Sequence, residues 1–426
     1  MIMDYDVIVI GAGLSGLIAA ARASAGGRSV LVLARGQGVL ALTTGCIDIL
    51  GCLPGSEGRC LTDVAGGLQR LAAIDPDHPY AKIGLDLVQE SIEFWQQVMP
   101  AVGYPYCGSG AVNYLLPTAL GTVRPTALAP ATMAGGDIRN EAGTLVVGWL
   151  NLLDWHPKLI ADGINDLRNR RGLGGAWSSV MLDALPGAAP ELTPVMMARF
   201  LENAQHLELL IAGLRKSLTP GTGRVGLPAV LGIDEGAALF RQVETRLGCP
   251  VFEIPAGQPT VTGLRLAQLL IKFLKQSGVG FRFNVSVLST ERRNGAWQVT
   301  LDLPGRAAVV TGGALVLATG GLIGRGLEAD RTQIRECVAG LPVAGRDLPG
   351  QAREASGWGR DPFAMAGVVV DGRMRPVATD GDPEQYRRLF VAGSTLAGYD
   401  PAVGKDGLGV ALATGYVAGN AAATEG

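Results

Sequence analysis

The sequence predicts an α/β fold: a Rossmann-like dinucleotide-binding domain with a second domain inserted into it. Three observations carry this. The glycine fingerprint Gly11-x-Gly13-x-x-Gly16 sits between a short apolar strand and an alanine-rich helix. Two later apolar strands also run into glycines, at Gly320 and Gly393, in the order such a fold requires. Before them the pattern changes, and residues 62–250 alternate helical stretches with Pro/Gly-rich loops. The expected division is therefore 1–61 and 251–426 for the nucleotide-binding domain, with 62–250 inserted as a substrate or partner domain.

Asp6–Ile10 reads as a buried strand. Gly11 permits the turn that follows, Gly13 lets the backbone approach a pyrophosphate, and Gly16 lets helix and strand pack closely. Leu14–Ala25 is rich in alanine and leucine and reads as a helix ending at Gly26-Gly27. Its first N–H groups, at Leu14 and Ser15, carry the positive end of the helix dipole and suit a phosphate. Ser29–Ala34 is the second strand, which completes strand, glycine turn, helix and strand within about thirty residues, as a βαβ unit needs.

Arg35 and Gly36 end that strand. Dinucleotide folds usually place an acid there to hold the adenosine ribose. Three readings of Arg35 stand side by side. It accommodates a 2′-phosphate, or it marks a mononucleotide ligand with no adenosine half, or it is a surface arginine beside a ligand held by backbone contacts. A second glycine fingerprint is missing, because Gly321-Leu-Ile-Gly324-Arg-Gly326 has the wrong spacing. That argues for one fixed nucleotide cofactor rather than two.

Residues 37–60 form a glycine-punctuated loop that includes Thr44 and Gly45. Helical stretches at Ile83–Met99 and Pro194–Leu214 fall in the inserted region. Gly263–Ser277 has leucines at helical spacing. Strand candidates follow at Phe281–Val287, Trp297–Leu303, Ala307–Val310 and Ala314–Gly321. Leu389–Ser394 is a further strand end, and Gly407–Ala423 is a helix of small residues.

Composition narrows the function. Lys+Arg 36 against Asp+Glu 38 leaves a net charge of −2, which gives no electrostatic reason for a nucleic-acid partner. Charged residues are only 17% against 48% hydrophobic, consistent with a large core or a surface covered by other subunits. The six cysteines form no CxxC pair, so no zinc or iron–sulfur site is expected, and a reducing cytoplasmic compartment fits. Three histidines rule out catalysis by a histidine cluster. The uncharged run Val7–Ala21 is broken by glycines and falls short of the ~20 residues of a membrane span. Any membrane link therefore passes through a partner or a surface patch.

The endings Leu315-Val-Leu-Ala-Thr319-Gly320 and Leu389-Phe-Val-Ala-Gly393, with the later Gly407-Leu408-Gly409, resemble the returning strands and final helix of two-dinucleotide-fold flavoproteins. In that family the residue after the alanine-glycine pair is often an acid, and here it is Ser394. The final helix would point its N-terminus at the flavin's pyrimidine end. There it could stabilise negative charge.

More specifically, the chain resembles the B subunits of the anaerobic glycerol-3-phosphate dehydrogenases over nearly its whole length. The likeness rests on Gly11-Ala-Gly-Leu-Ser-Gly16, Ala34-Arg-Gly-Gln37, Gly45-Cys-Ile-Asp-Ile-Leu50, Pro117-Thr-Ala-Leu-Gly-Thr-Val-Arg-Pro-Thr126, Leu227-Pro-Ala-Val-Leu-Gly232, Glu253-Ile-Pro255 with Gly263-Leu-Arg-Leu266, Gly320-Gly-Leu-Ile-Gly-Arg-Gly-Leu327 and Gly393-Ser-Thr-Leu-Ala-Gly-Tyr-Asp-Pro401. One departure is Pro255–Thr260, where a denser proline run is expected. The resemblance implies oxidation of sn-glycerol 3-phosphate, a small phosphate ester, to dihydroxyacetone phosphate, with electrons passed to quinone. It implies two partners: an FAD-bearing catalytic chain and a membrane-associated iron–sulfur chain. It implies a place on the cytoplasmic face of the membrane through the second of them. It assigns FMN to the chain described here, with FAD the near alternative. Arg124 and Arg265 lie in motifs specific to the B subunits and are the expected phosphate ligands, since arginine suits bidentate phosphate binding. Two alternatives stay open: a flavin-fold scaffold or electron relay that leaves substrate to the FAD-bearing partner, and a stand-alone FAD- or NADPH-dependent oxidoreductase.

Overall fold

The computed structural model of the 426-residue chain describes residues 4–56, 59–303, 306–348, 361–377 and 383–425. It falls into two compact units. The first comprises residues 1–39, 48–98 and 270–426; the second comprises residues 40–47 and 99–269.

The first unit is built on a seven-stranded mixed sheet. Its path runs Gly280–Phe283, Val30–Ala34, Tyr5–Ile10, Arg306–Leu317, Ala296–Leu303 and Ser286–Arg293, with Leu389–Val391 also paired to Arg306–Leu317. Tyr5–Ile10 is parallel to both neighbours, in the registers Ile10↔Leu33 and Ile10↔Leu317. Leu389–Val391 joins in parallel at Leu317↔Val391. The central strands are apolar without alternation because they are buried on both faces; Val7 to Val9 and Val32 to Leu33 have no exposed surface.

The helices Leu14–Ala25 and Gly407–Thr424 pack against each other at backbone distance. A Cβ on Gly415 would lie 2.5 Å from the Ser15 carbonyl oxygen, and one on Gly419 would lie 2.8 Å from Ala19 Cα. Among the described residues no helix is long and apolar enough to cross a membrane.

The second unit holds a four-stranded sheet in the order Val251–Ile254, Arg224–Pro228, Thr144–Trp149, Trp177–Leu182, all parallel. Pro157–Arg170, the pair Pro194–Leu201 and Ala204–Ser217, and Gly236–Leu247 make the crossovers that parallel strands require. Buried Arg224 ties the sheet to the preceding loop. It donates to Thr144 Oγ1 at 2.8 Å and to the Gly135, Asp137 and Asn140 carbonyls at 2.6, 3.1 and 3.2 Å.

The boundaries differ from the sequence expectation of 1–61, 62–250 and 251–426. Residues 62–98 pack with the nucleotide-type unit, where Tyr80 donates to the Ile49 carbonyl at 2.8 Å and Tyr416 contacts Glu90 at 3.2 Å. Residues 251–269 stay with the second unit because Val251–Ile254 is an edge strand of its sheet. Two other expectations change. Ala307–Val310 and Ala314–Leu317 belong to one strand, Arg306–Leu317, and residues 318–321 follow its end. The stretch Pro194–Leu214 is two helices, Pro194–Leu201 and Ala204–Ser217, divided where Asn203 caps the second through Gln205 N–H.

Candidate functional site

The parallel registers bring the C-terminal ends of four strands of the first unit to one sheet edge. Strand order reverses between Tyr5–Ile10 and Arg306–Leu317, and an open α/β sheet binds ligands outside the strand ends at that switch point. Gly11 to Gly16, Arg35, Thr319 with Gly320, and Gly393 with Ser394 all follow those ends.

Each glycine there answers a separate demand. Gly11 has φ +119°, and a Cβ would strike the Ala318 carbonyl. A Cβ on Gly16 would strike the Gly11 carbonyl. Gly13 is the opposite case. A Cβ there would meet nothing within 4 Å, although Gly13 is the N-cap of Leu14–Ala25 and no side chain caps that helix. Open space over an uncapped helix N-terminus fits a pyrophosphate. Gly38, at φ +69°, returns beside it, and its Cβ would lie 3.0 Å from Gly13 Cα.

The adenosine end fits less well. Arg35 and Gly36 are exposed, so the strand ends in a solvent-facing cation where a ribose hydroxyl would want an acceptor.

On the far side of the switch point, Gly320 has φ +82°. Thr395 Oγ1 donates to its carbonyl at 3.3 Å and lies 3.3 Å from Thr319 Oγ1. Gly393, at φ +76°, leaves no room for a side chain above Ser15, and its N–H donates to Thr414 Oγ1 at 3.0 Å. Ser394 is exposed and hydrogen-bonds Tyr399.

Gly407 and Leu408 open the last helix, half-buried. The N-cap residue Asp406 makes no side-chain cap; its Oδ2 lies 3.1 Å from His78 Nε2, with both side chains 2% exposed. Burial pushes the Asp406 carboxyl above the usual carboxylate range, with the His78 hydrogen bond pulling the other way. Burial likewise raises the Tyr80 and Tyr399 phenols, and Asp406 adds to both. A small cavity lies against this pair, lined by Leu50, Leu71 and Asp400 among others. The sequence reading missed the pair. Its one signal was an acid immediately before the glycine that opens the last helix.

The remaining candidates lie in the second unit. Gly45 has φ +76°, a Cβ there would be 3.1 Å from the Thr262 carbonyl, and Tyr106 OH donates to the Gly45 carbonyl at 2.6 Å. Thr44 Oγ1 accepts from Cys46 N–H at 3.3 Å. Arg124 is half-buried on Val123–Thr126, opposite Leu116.

Arg265 corrects the expectation of a substrate ligand. It is wholly buried, and Glu253 grips it at 2.8 and 3.1 Å. Tyr104 OH accepts at 3.2 Å, the Gly232 carbonyl at 2.8 and 3.2 Å, and the Leu231 carbonyl at 3.2 Å. Burial works against its charge, but Glu253 and Tyr104 outweigh that and hold it above the ordinary arginine value. A guanidinium has five N–H donors, and all of them are engaged internally, which leaves none for a phosphate.

A family model described as FAD binding domain matches residues 6–410. The B subunit of a probable anaerobic glycerol-3-phosphate dehydrogenase of Halobacterium salinarum is 31% identical over 440 residues, covering 99% of each chain. The B subunit of the anaerobic glycerol-3-phosphate dehydrogenase of Yersinia enterocolitica is 30% identical over 425 residues, covering 96% of each. Among solved structures, the 3-ketosteroid-delta4-(5alpha)-dehydrogenase of Rhodococcus jostii RHA1 is similar with a TM-score of 0.44 at 14% identity, covering 100% of this chain and 98% of that one. The FAD match supports a flavin cofactor and gives no support to FMN as the first choice. The chain belongs to the B-subunit family of the anaerobic glycerol-3-phosphate dehydrogenases, oxidoreductase chains built on an FAD binding domain.

Proposed function

We propose that this chain is the flavin-carrying member of a membrane-associated complex that oxidises sn-glycerol 3-phosphate to dihydroxyacetone phosphate, and that its flavin is FAD. Electrons leave through an iron–sulfur partner to quinone, in keeping with six cysteines that form no CxxC pair. Partner subunits, one of them bearing its own FAD, hold the chain at the cytoplasmic face of the membrane. The observation that supports this reading most directly is the open space over Gly13 at an uncapped helix N-terminus on the sheet's switch point.

The bound flavin supplies two-electron acceptance. This chain's residues do the rest. Leu14 and Ser15 N–H groups receive the pyrophosphate, and Gly11 and Gly16 keep the turn tight enough to present them. Thr319, Gly320, Gly393 and Ser394 flank the ligand from the neighbouring strand ends. The N-terminus of Gly407–Thr424, at Gly407 and Leu408, stays free of a side-chain cap because Asp406 is engaged by His78. Its dipole then favours negative charge outside the helix. Arg124 is proposed as a substrate-phosphate ligand, and Thr44 and Gly45 as cofactor ligands, on the family resemblance alone.

A second reading has one observation in its favour. With Arg265 fully engaged by Glu253 and backbone carbonyls, one of the two expected phosphate ligands is gone. This chain then relays electrons while the FAD-bearing partner oxidises the substrate. Anaerobic addition of glycerol 3-phosphate to the purified chain, reconstituted with FAD, separates the two. Bleaching of the flavin band supports oxidation on this chain. No bleaching, with bleaching restored by adding that partner, supports relay.

A further inference from the structure

The loop between Cys52 and Cys60 is closed at its base by a backbone bond: Leu61 N–H donates to the Gly51 carbonyl at 2.8 Å. Cys52 and Cys60 are the chain neighbours of those two residues, and a disulfide between them needs Cα atoms about 4.4–6.8 Å apart. The two side chains meet through a thiol–thiol hydrogen bond, and neither is in a disulfide. Cys52 is 3% exposed, whereas Cys60 is partly accessible. The base of the loop is tied to another turn as well. The Gly51 and Cys52 N–H groups both donate to the Gly404 carbonyl, at 2.9 and 3.0 Å, two residues before Asp406.

We propose that Cys52 and Cys60 are a redox-active dithiol, converted reversibly to an internal disulfide by exchange with a small-molecule disulfide such as oxidised glutathione. The accessible Cys60 gives up its proton and attacks one sulfur of the small disulfide. The Cys60–glutathione bond forms, the glutathione disulfide bond breaks, and one glutathione leaves with a proton. Cys52 then deprotonates and attacks Cys60 Sγ, and the second glutathione leaves with that proton. Two protein thiols are oxidised, one small disulfide is reduced to two thiols, and no other reactant is needed.

The order of the steps follows from the environment. The hydrogen bond to Cys60 and then burial hold the Cys52 thiol above its ordinary value, and Cys60 is the more accessible of the two, so Cys60 attacks first. Once Cys60 is capped, its hydrogen bond to Cys52 is lost and that hold on Cys52 relaxes. The disulfide would stiffen the base of a loop bonded to Gly404, next to the N-cap of the last helix. The proposal is independent of the flavin assignment.

The test uses the full-length protein equilibrated in glutathione buffers from reducing to oxidising, acid-quenched, alkylated after unfolding, and mapped by mass spectrometry. The expected result is that Cys52 and Cys60 lose alkylation together with one midpoint, and that a Cys52–Cys60 linked peptide appears. Cys52→Ser should accumulate a glutathione adduct on Cys60 instead. Full alkylation of both cysteines across the series, or stable glutathione adducts on the unsubstituted protein without the linked peptide, overturns the proposal. The unsubstituted protein decides the matter even where a variant misfolds.

Discussion

Asp406 stands at the N-cap of the last helix yet gives its carboxylate to His78 Nε2, 3.1 Å away, with both side chains 2% exposed. A side chain in the usual capping position has been drawn off to a buried partner. The helix end is thereby left to whatever ligand lies before it. Removing one member of a buried pair strands the other. His78→Ala is expected to cost about 1–3 kcal/mol in urea unfolding, because the buried Asp406 carboxyl loses its hydrogen-bond partner. A loss near the ~0–1 kcal/mol of an exposed pair contradicts this account.

The same pair sets a pH dependence. The folded carboxyl of Asp406 titrates above its unfolded value because of burial. The native state therefore binds that proton more tightly than the unfolded chain does. Its contribution is fully present below the unfolded pKa, about 3.9, and is lost as pH rises through the folded value. The urea midpoint of the unsubstituted protein, measured relative to Asp406→Asn, should fall as pH rises above about 4. A difference that grows with pH would reverse the sign argued here.

Gly13 and Gly16 separate binding from folding. Gly16→Ala puts a methyl on the Gly11 carbonyl and is expected to destabilise the chain by about 1–3 kcal/mol. Gly13→Ala has open space around it, so the chain without flavin should keep its melting temperature while flavin retention drops. Thermal unfolding with and without added FAD reads both effects. Equal behaviour of the two variants would remove the reason for placing the pyrophosphate at Gly13.

Arg35 offers a gain-of-function test. Arg35→Glu restores an acceptor at the end of the second strand, where the native residue is exposed and cationic. A charge-assisted hydrogen bond contributes about 1.5–3 kcal/mol. FAD affinity should therefore rise about tenfold or more, with FMN affinity unchanged. Titration calorimetry on the flavin-free chain checks this, and equal changes for the two flavins would count against an adenosine ribose at that position.

Arg124 and Arg265 are expected to part company. Arg265→Met should lower stability by about 3–5 kcal/mol, because Glu253 is left buried and unpaired. Arg124→Ala in the assembled complex should raise the KM for glycerol 3-phosphate about tenfold, the loss of roughly one charge-assisted bond. Unaltered kinetics in Arg124→Ala shift substrate oxidation to the FAD-bearing partner.

What the sequence made legible was what the backbone alone demands. Gly11 and Gly16 are required by close approach, and the strand–turn–helix order follows from apolar pattern and spacing. The second parallel sheet was not legible. Its strands are four to six residues long, and one of them, Arg224–Pro228, begins with arginine and ends in proline. Thr311-Gly312-Gly313 made one long strand look like two. Arg265 was misread for a deeper reason. A buried structural arginine and a substrate arginine have the same local sequence, and only Glu253, twelve residues away and facing it across the fold, tells them apart. His78 and Asp406 are 328 residues apart, and no local pattern joins them.

The central claim is an FAD held at the switch point of the first sheet. The most direct test is to purify the chain with its partners, separate it, release its cofactor by denaturation and weigh the cofactor by mass spectrometry. The account predicts FAD, one per chain. Recovery of FMN, or of no flavin even after reconstitution, contradicts it.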